Sequence, residues 1–289
     1  MLPDILGPIS RRLKGTLPRK IIGPIRRKLA PESVICTMKG GYRVQLRPKA
    51  DPFEMSMYIN KQYEPATLNL LDHVLRPGDT MVDVGANIGL MSLHAAKRVE
   101  RTGSVIALEP HPIIYDRLMS NIELNGLSNI RALQVAAGSR DEELTLFDMP
   151  AINMGSATLS PEVQASGRPV GVVKVRPLDA ILSDAGVGSV RLIKIDVEGF
   201  EEQVLQGAER TLAREPIICL ELGGSRIASH NLIMRTGRYD CYVFTSSKFR
   251  TSKLSKCDDV NDLMKLPEYE NAVFIPHSSR QSISDDIFS

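Results

Sequence analysis

The run Thr80-Met-Val-Asp-Val-Gly-Ala-Asn-Ile-Gly89 constrains the fold more than any other segment. Residues 80–84 read as a buried strand, Gly85 and Gly89 as a tight turn, and residues 90–99 as a helix. Without a Cβ, the two glycines let the backbone bend sharply and approach a ligand. The pattern then repeats. Strand-like runs occur at 80–84, 104–108, 130–135, 192–195, 217–220, 241–244 and 272–275. Helix-like runs lie at 90–99, 113–124, 178–185 and 201–213. Such alternation predicts a Rossmann-like α/β fold with a seven-stranded, mostly parallel sheet covered by helices on both faces. A further helix is expected over 65–75, stopped by Arg76-Pro77-Gly78, and a strand over 42–46.

Residues 138–177 are too long for a simple connection and hold two more β-like pieces, 144–147 and 172–175. They predict an inserted β-hairpin with a mobile tip at Asn153-Met-Gly-Ser-Ala-Thr158. We divide the chain into a basic, proline-punctuated arm (1–35), a main domain (36–276) and a polar tail (277–289) that its Ser/Asp composition predicts to fray. Residues 1–30 carry eight Lys/Arg against Asp4 alone, whereas the rest carries 28 basic and 33 acidic residues. The arm could contact an anionic surface, such as membrane lipid or a polyanionic substrate. Nucleic acid is not an expected partner, because the body is acidic and lacks aromatic-basic interleaving. No stretch free of Asp, Glu, Lys and Arg is longer than residues 84–96, too short for a spanning helix of about 20 residues. The four cysteines, Cys36, Cys219, Cys241 and Cys257, form no CxxC pair and read as reduced thiols. With no secretory signal visible, a cytoplasmic location is expected, peripheral to a membrane if the arm binds one.

The glycine turn also narrows the ligand. Glu109 follows the second strand, 20 residues after Gly89, where a carboxylate can accept hydrogen bonds from ribose hydroxyls. The dinucleotide fingerprint GxGxxG is absent, and Asp83 before the turn would repel a pyrophosphate. A carboxylate there suits a ligand bearing an ammonium and a sulfonium, which is S-adenosylmethionine (SAM). The binding set expected from the residues is Asp83, Gly85, Ala86, Asn87, Gly89, Glu109 and Pro110, with adenine near Ala136 and Ala137 and Asp196 as a further candidate to hold the methionine ammonium.

The second dense motif is Leu192-Ile-Lys-Ile-Asp-Val-Glu-Gly-Phe-Glu201. Lys194 and Asp196 share one face of the strand, and charge in a central apolar strand is costly without a purpose. Glu221, at the end of the next strand, falls on the same sheet edge. A hydroxyl acceptor would lose its proton during methyl transfer, so Asp196, Glu198, Lys194 and His230 are the candidate catalytic residues. His94 and His111 are expected to pack in a helix and near the adenosine. A divalent cation on Asp196 and Glu221 is a further option; it is not expected, since no third ligand stands out.

Asp83-Val-Gly-Ala-Asn-Ile-Gly89, Lys194-Ile-Asp-Val-Glu-Gly-Phe-Glu201 and Val204-Leu-Gln-Gly-Ala208 together resemble the FkbM family of SAM-dependent methyltransferases. Tyr63-Glu64-Pro65, Arg76-Pro-Gly-Asp79, Asn121-Ile-Glu-Leu-Asn-Gly126 and Pro177-Leu-Asp179 match as well, and the resemblance covers about residues 60–276. It implies a class I methyltransferase fold, Glu64 as a further cofactor contact, and O-methylation of a sugar, polyketide or lipid-like metabolite. Two alternatives from other classes are an NAD-linked oxidoreductase and a non-catalytic binding module with a membrane- or glycan-contacting arm. The oligomeric state is not readable.

Overall fold

The computed structural model describes residues 28–148, 157–160, 167–223, 226–246, 252–267 and 270–289. Residues 1–27 of the arm, and 149–156 with most of the expected mobile tip, lie outside them.

The chain opens with an antiparallel hairpin, β1 (Val34–Thr37) and β2 (Arg43–Leu46). α1 (Pro52–Asn60) follows, started by Asp51, whose carboxylate accepts from the Phe53 and Glu54 amides. α2 (Pro65–Val74) begins on a proline, and Leu75 turns extended just before Arg76-Pro77. Then come β3 (Thr80–Val84), α3 (Leu90–Val99), β4 (Ser104–Leu108), α4 (Pro112–Asn125) and β5 (Ile130–Leu133). The insertion contains β6 (Ala136–Gly138), β7 (Glu142–Asp148), β8 (Ala157–Thr158) and β9 (Arg168–Pro177). The chain continues through α5 (Leu178–Asp184), β10 (Leu192–Ile195), α6 (Glu201–Gln206), α7 (Glu209–Leu212) and β11 (Ile217–Glu221). It closes with α8 (Arg226–Met234), β12 (Tyr239–Phe244), β13 (Leu254–Lys256), α9 (Val260–Met264), β14 (Asn271–Pro276) and two 3-10 turns.

The main sheet has the order β13-β12-β14-β11-β10-β3-β4-β5. β11, β10, β3, β4 and β5 run parallel, while β14, β12 and β13 add antiparallel pairings. All seven expected strands are present, and β13 adds a short eighth at the edge. From β3 the chain winds outward to β4 and β5, then returns to β10 on the other side. The β3–β10 junction is therefore the topological switch point, where open α/β sheets leave a crevice at their carboxyl ends.

Alternation along the strands builds two cores. Val82, Val84, Ile106, Ile193, Ile195, Ile218 and Leu220 face α5 to α8. Met81, Val105, Leu192, Ile217, Val273 and Ile275 face α2 and α3. The hairpin β1–β2 docks on α4 through two amides one helical turn apart. The Gln45 amide donates to Asn121 Oδ1 (2.9 Å) and the Arg43 amide to Asn125 Oδ1 (2.7 Å).

Three expectations change. The inserted hairpin is real, with β7 and β9 antiparallel, but it is part of a four-stranded sheet β6-β9-β7-β8. The helix expected over 201–213 is two helices, α6 and α7, parting where Gly207 passes against the Gly138 backbone. The tail does not fray. Ile283 and Ile287 are buried, Phe288 packs edge-on against Tyr242, and Arg191 donates to Ser279 and Ser282. Its few apolar side chains find the core face of α2, which an average composition does not reveal.

Candidate active site

A cavity of about 320 Å³ opens at the switch point, a size suited to a small ligand or cofactor. Asp83, Gly85, Ala86, Asn87, Glu109, Pro110, Ala136, Ala137, Lys194, Asp196 and Glu198 all line it, so the structure brings together eleven of the residues expected from sequence. Glu221 joins them from β11. Parallel pairing explains the meeting: Lys194 lies level with Asp83 on one side and with Cys219 on the other, so the carboxyl ends of three strands coincide.

Gly85 has φ 81°, and a Cβ there would stand 1.9 Å from the Asp196 carbonyl oxygen. The close approach it permits is thus to the β10 chain. Gly89 is not a lining residue; a Cβ on it would meet Leu118 of α4 at 2.6 Å. Its role is helix packing rather than the ligand approach expected.

Asp83 is 1% exposed. Its Oδ2 accepts from Ser92 Oγ at 2.5 Å, while Oδ1 is buried without a hydrogen-bond partner. Burial raises its pKa, against the opposing pull of Lys194. Glu109 accepts from the Asn87 amide on one oxygen and the His111 amide on the other, both at 2.9 Å. Each oxygen keeps a second lone pair for a ligand hydroxyl. Burial lifts the Glu109 carboxyl from 4.5 to about 7, although these amides favour its charged form. Asn87 is held at φ 50°, a left-handed value uncommon outside glycine.

Lys194 donates to Asp196 Oδ2 at 2.7 Å. Burial alone would drive this ammonium toward neutrality, yet Asp196, Glu64 and Asp83 outweigh it and hold its pKa above the usual lysine range. Glu198 sits at φ 51° beside Gly199, and its carbonyl accepts from Thr158 Oγ1 of the insertion at 2.7 Å. The inserted sheet therefore clamps the loop that presents Asp196 and Glu198. Asp196, Glu198 and Glu221 each offer an oxygen within 4.8 Å of the others, the cation-type grouping found among the described residues. Glu198, expected from the sequence as a catalytic candidate only, is thus the third carboxylate beside Asp196 and Glu221. A cation on Asp196 would stand beside the ammonium already bonded to that carboxylate.

Besides Gly89, two expected residues lie outside the cavity lining. Glu64, fully buried at φ 36°, accepts from Thr67 and Asn271 and acts from behind Lys194. His230 packs its ring near Phe274 and pairs Nδ1 with Asn231 Oδ1, so it is not placed to meet an acceptor in this cavity. His94 is packed as expected, bonded to Asp72. His111 starts α4: its Nδ1 accepts from the Ile113 amide and its Nε2 faces Asp148 of the insertion at 3.2 Å.

The model of the FkbM methyltransferase domain matches residues 83–264, more than half of the chain. The chain belongs to the FkbM methyltransferase family. Among curated relatives, a methyltransferase (sdnD) of Sordaria araneosa is 36% identical over 157 residues, 45% of this chain and 60% of that one. The 31-O-demethyl-FK506 methyltransferase FkbM of Streptomyces tacrolimicus is 29% identical over 162 residues, 47% and 61% of the two chains. The chain spans roughly three-fifths of the length of these relatives. An FkbM methyltransferase structure from Methylobacillus flagellatus is 17% identical with a TM-score of 0.44, covering 76% of this chain and 52% of that one.

The FkbM-domain match begins at Asp83, so one wall of the cavity lies outside it. Asp51, Phe53, Glu54 and Met57 of the α1 segment, and Tyr63, form that wall. Glu54 and Arg117 of α4 make a buried double hydrogen bond (2.8 and 2.9 Å) that fixes α1 over the FkbM core. Burial, then Glu64, Asp196 and Glu221, raise the Tyr63 pKa well above the usual phenol range and keep it a donor. The sequence carried a trace only of Tyr63, through its place beside Glu64.

Proposed function

We propose that this chain is a SAM-dependent methyltransferase that methylates a hydroxyl on a sugar, polyketide or lipid-like small molecule. One observation carries the reading: Asp83, Glu109, Asp196 and Glu221 converge from neighbouring strands on one cavity around the Gly85 turn. Carboxylates aimed into a partly apolar cavity suit a cationic ligand. The buried Asp83 Oδ1 offers an acceptor for an ammonium or an ordered donor, and Glu109 offers two lone pairs to a vicinal diol. The donor set therefore fits SAM.

SAM supplies an electrophilic methyl on a sulfonium. The chain's own residues position and deprotonate the acceptor. Alignment of a nucleophile in a confined cavity supplies much of the acceleration in such displacements. Asp196, braced by Lys194, orients the acceptor hydroxyl, and Asp196 or Glu198 takes its proton as the oxygen attacks. Tyr63, kept protonated, hydrogen-bonds Glu64 at the edge of the same site. Apolar Leu146, Leu159 and Phe200 wall the cavity from the insertion and the β10–α6 turn and exclude water.

Calorimetric titration with SAM and S-adenosylhomocysteine tests the cofactor. Micromolar binding is expected, weakened at least tenfold by Glu109→Ala; no heat from the folded wild type at millimolar ligand would overturn the assignment. A mass-spectrometric screen for a gain of one methylene across hydroxylated glycans, lipids and polyketides identifies the acceptor.

A further inference from the structure

Cys241 of β12 and Cys257, one residue beyond β13, face each other at the sheet edge. The β12–β13 register pairs Tyr242 with Lys256, Val243 with Ser255 and Phe244 with Leu254, so the next pair outward is Cys241 with Cys257. The Cys257 amide donates to the Cys241 carbonyl at 2.8 Å, which shows the pairing continues past the last strand residue. Both side chains belong to the same core, so both project from the same face. Residues directly opposite in an antiparallel pair have Cα atoms about 4.5–5.5 Å apart, inside the range of about 4.4–6.8 Å that a disulfide requires. Cys36 and Cys219 sit in two other cores and have no such neighbour relation to either.

We infer that Cys241 and Cys257 are a dithiol site that closes to a reversible disulfide when the protein meets an oxidised low-molecular-weight disulfide such as glutathione disulfide. Cys257 is the entry point. It lies on the edge strand's continuation between exposed Lys256 and Asp258 and is itself 8% exposed, against 1% for Cys241. The Cys257 Sγ donates to the Asp259 carbonyl at 3.2 Å, and the two neighbouring thiols push the Cys241 pKa up and the Cys257 pKa down, which favours Cys257 as the attacking thiolate. Its sulfur attacks glutathione disulfide, the glutathione S–S bond breaks, and one glutathione leaves as thiolate. Cys241 then loses its proton and attacks Cys257 Sγ, releasing the second glutathione. Two protein thiols are oxidised, one glutathione disulfide is reduced, and the two protons end on two glutathione thiols.

The test uses the full chain, freed of reductant and incubated with glutathione disulfide under native conditions, then alkylated and digested without reduction. A Cys241–Cys257 cross-linked peptide is expected, with loss of two of the four titratable thiols and full recovery with dithiothreitol. In Cys241→Ser the second step is blocked, so Cys257 should carry a stable glutathione adduct. Stable glutathionylation of Cys257 in the wild type without a cross-link, four unchanged thiols, or a cross-link involving Cys36 or Cys219 would each overturn the inference.

Discussion

Glu109 is the residue whose chemistry most directly reports on the site. Its folded pKa of about 7 exceeds its ordinary 4.5, so between these values the native state holds a proton that the unfolded chain has released. Stability therefore falls as pH rises from about 4.5 to 7 and levels off above, a loss of order 3 kcal/mol from this group. Glu109→Gln should flatten that part of the stability–pH curve, measured by urea unfolding across the window. Ribose hydroxyls donate better to the ionised carboxylate, so SAM binding below pH 7 should release a proton. Titrations in buffers of different ionisation enthalpy would show it, and Glu109→Gln should abolish it. Unchanged buffer dependence in that variant would remove Glu109 from the ribose contact. Asn87 and Glu198 belong to the same scale: left-handed backbone at non-glycine positions costs about 1–3 kcal/mol, and here it aims an amide at Glu109 and positions the loop after β10.

Among elements, α1 and the inserted sheet do what strand ends alone cannot: they wall the cavity. Glu54 and Arg117 join α1 to α4 with both side chains buried. Removing one partner leaves an uncompensated charge, so Glu54→Ala should destabilise by about 3–5 kcal/mol in denaturant unfolding. Replacing the pair together, Glu54→Leu with Arg117→Met, should recover most of that loss. The elements were largely legible in the sequence. Residues 80–84, 104–108 and 192–195 announce strands by short, mostly apolar runs in which Asp83 and Lys194 are the only charges, and Pro112 with Gly126 brackets α4 at both ends. The tail was misread because three apolar residues among many Ser and Asp carry no periodic signal, although Ile283, Ile287 and Phe288 pack on the main body. The helix break at Gly207 was hidden for a similar reason: its cause, the Gly138 backbone, lies far away in sequence.

At the scale of the molecule, charge is divided between a basic N-terminal arm and an acidic body. No described helix is long and apolar enough to cross a membrane. The described cavity lining begins at Asp51 and the family match at Asp83, while residues 1–27 lie outside the described residues. Deleting them should leave SAM affinity and the melting temperature unchanged, while altering acceptor use or binding to anionic vesicles. Loss of SAM binding from a folded deletion protein would show that the arm is part of the cofactor site.

The sequence by itself determined the α/β class, the strands of the main sheet, the glycine turn and the carboxylates that surround it. These signals are local: apolar runs, proline and glycine punctuation, and a charge placed at the end of a strand act within about ten residues of chain. Only the tertiary structure decided which of those charges meet. Parallel register set Lys194 between Asp83 and Asp196, and the sheet order brought Glu221 to the same corner. The same long-range packing left His230 beside Phe274, turned Gly89 toward Leu118, and drew Tyr63 and α1 over the cavity. A side chain's neighbours across a sheet are fixed by hydrogen-bond register and core packing between segments distant in the chain, and no local pattern encodes that pairing.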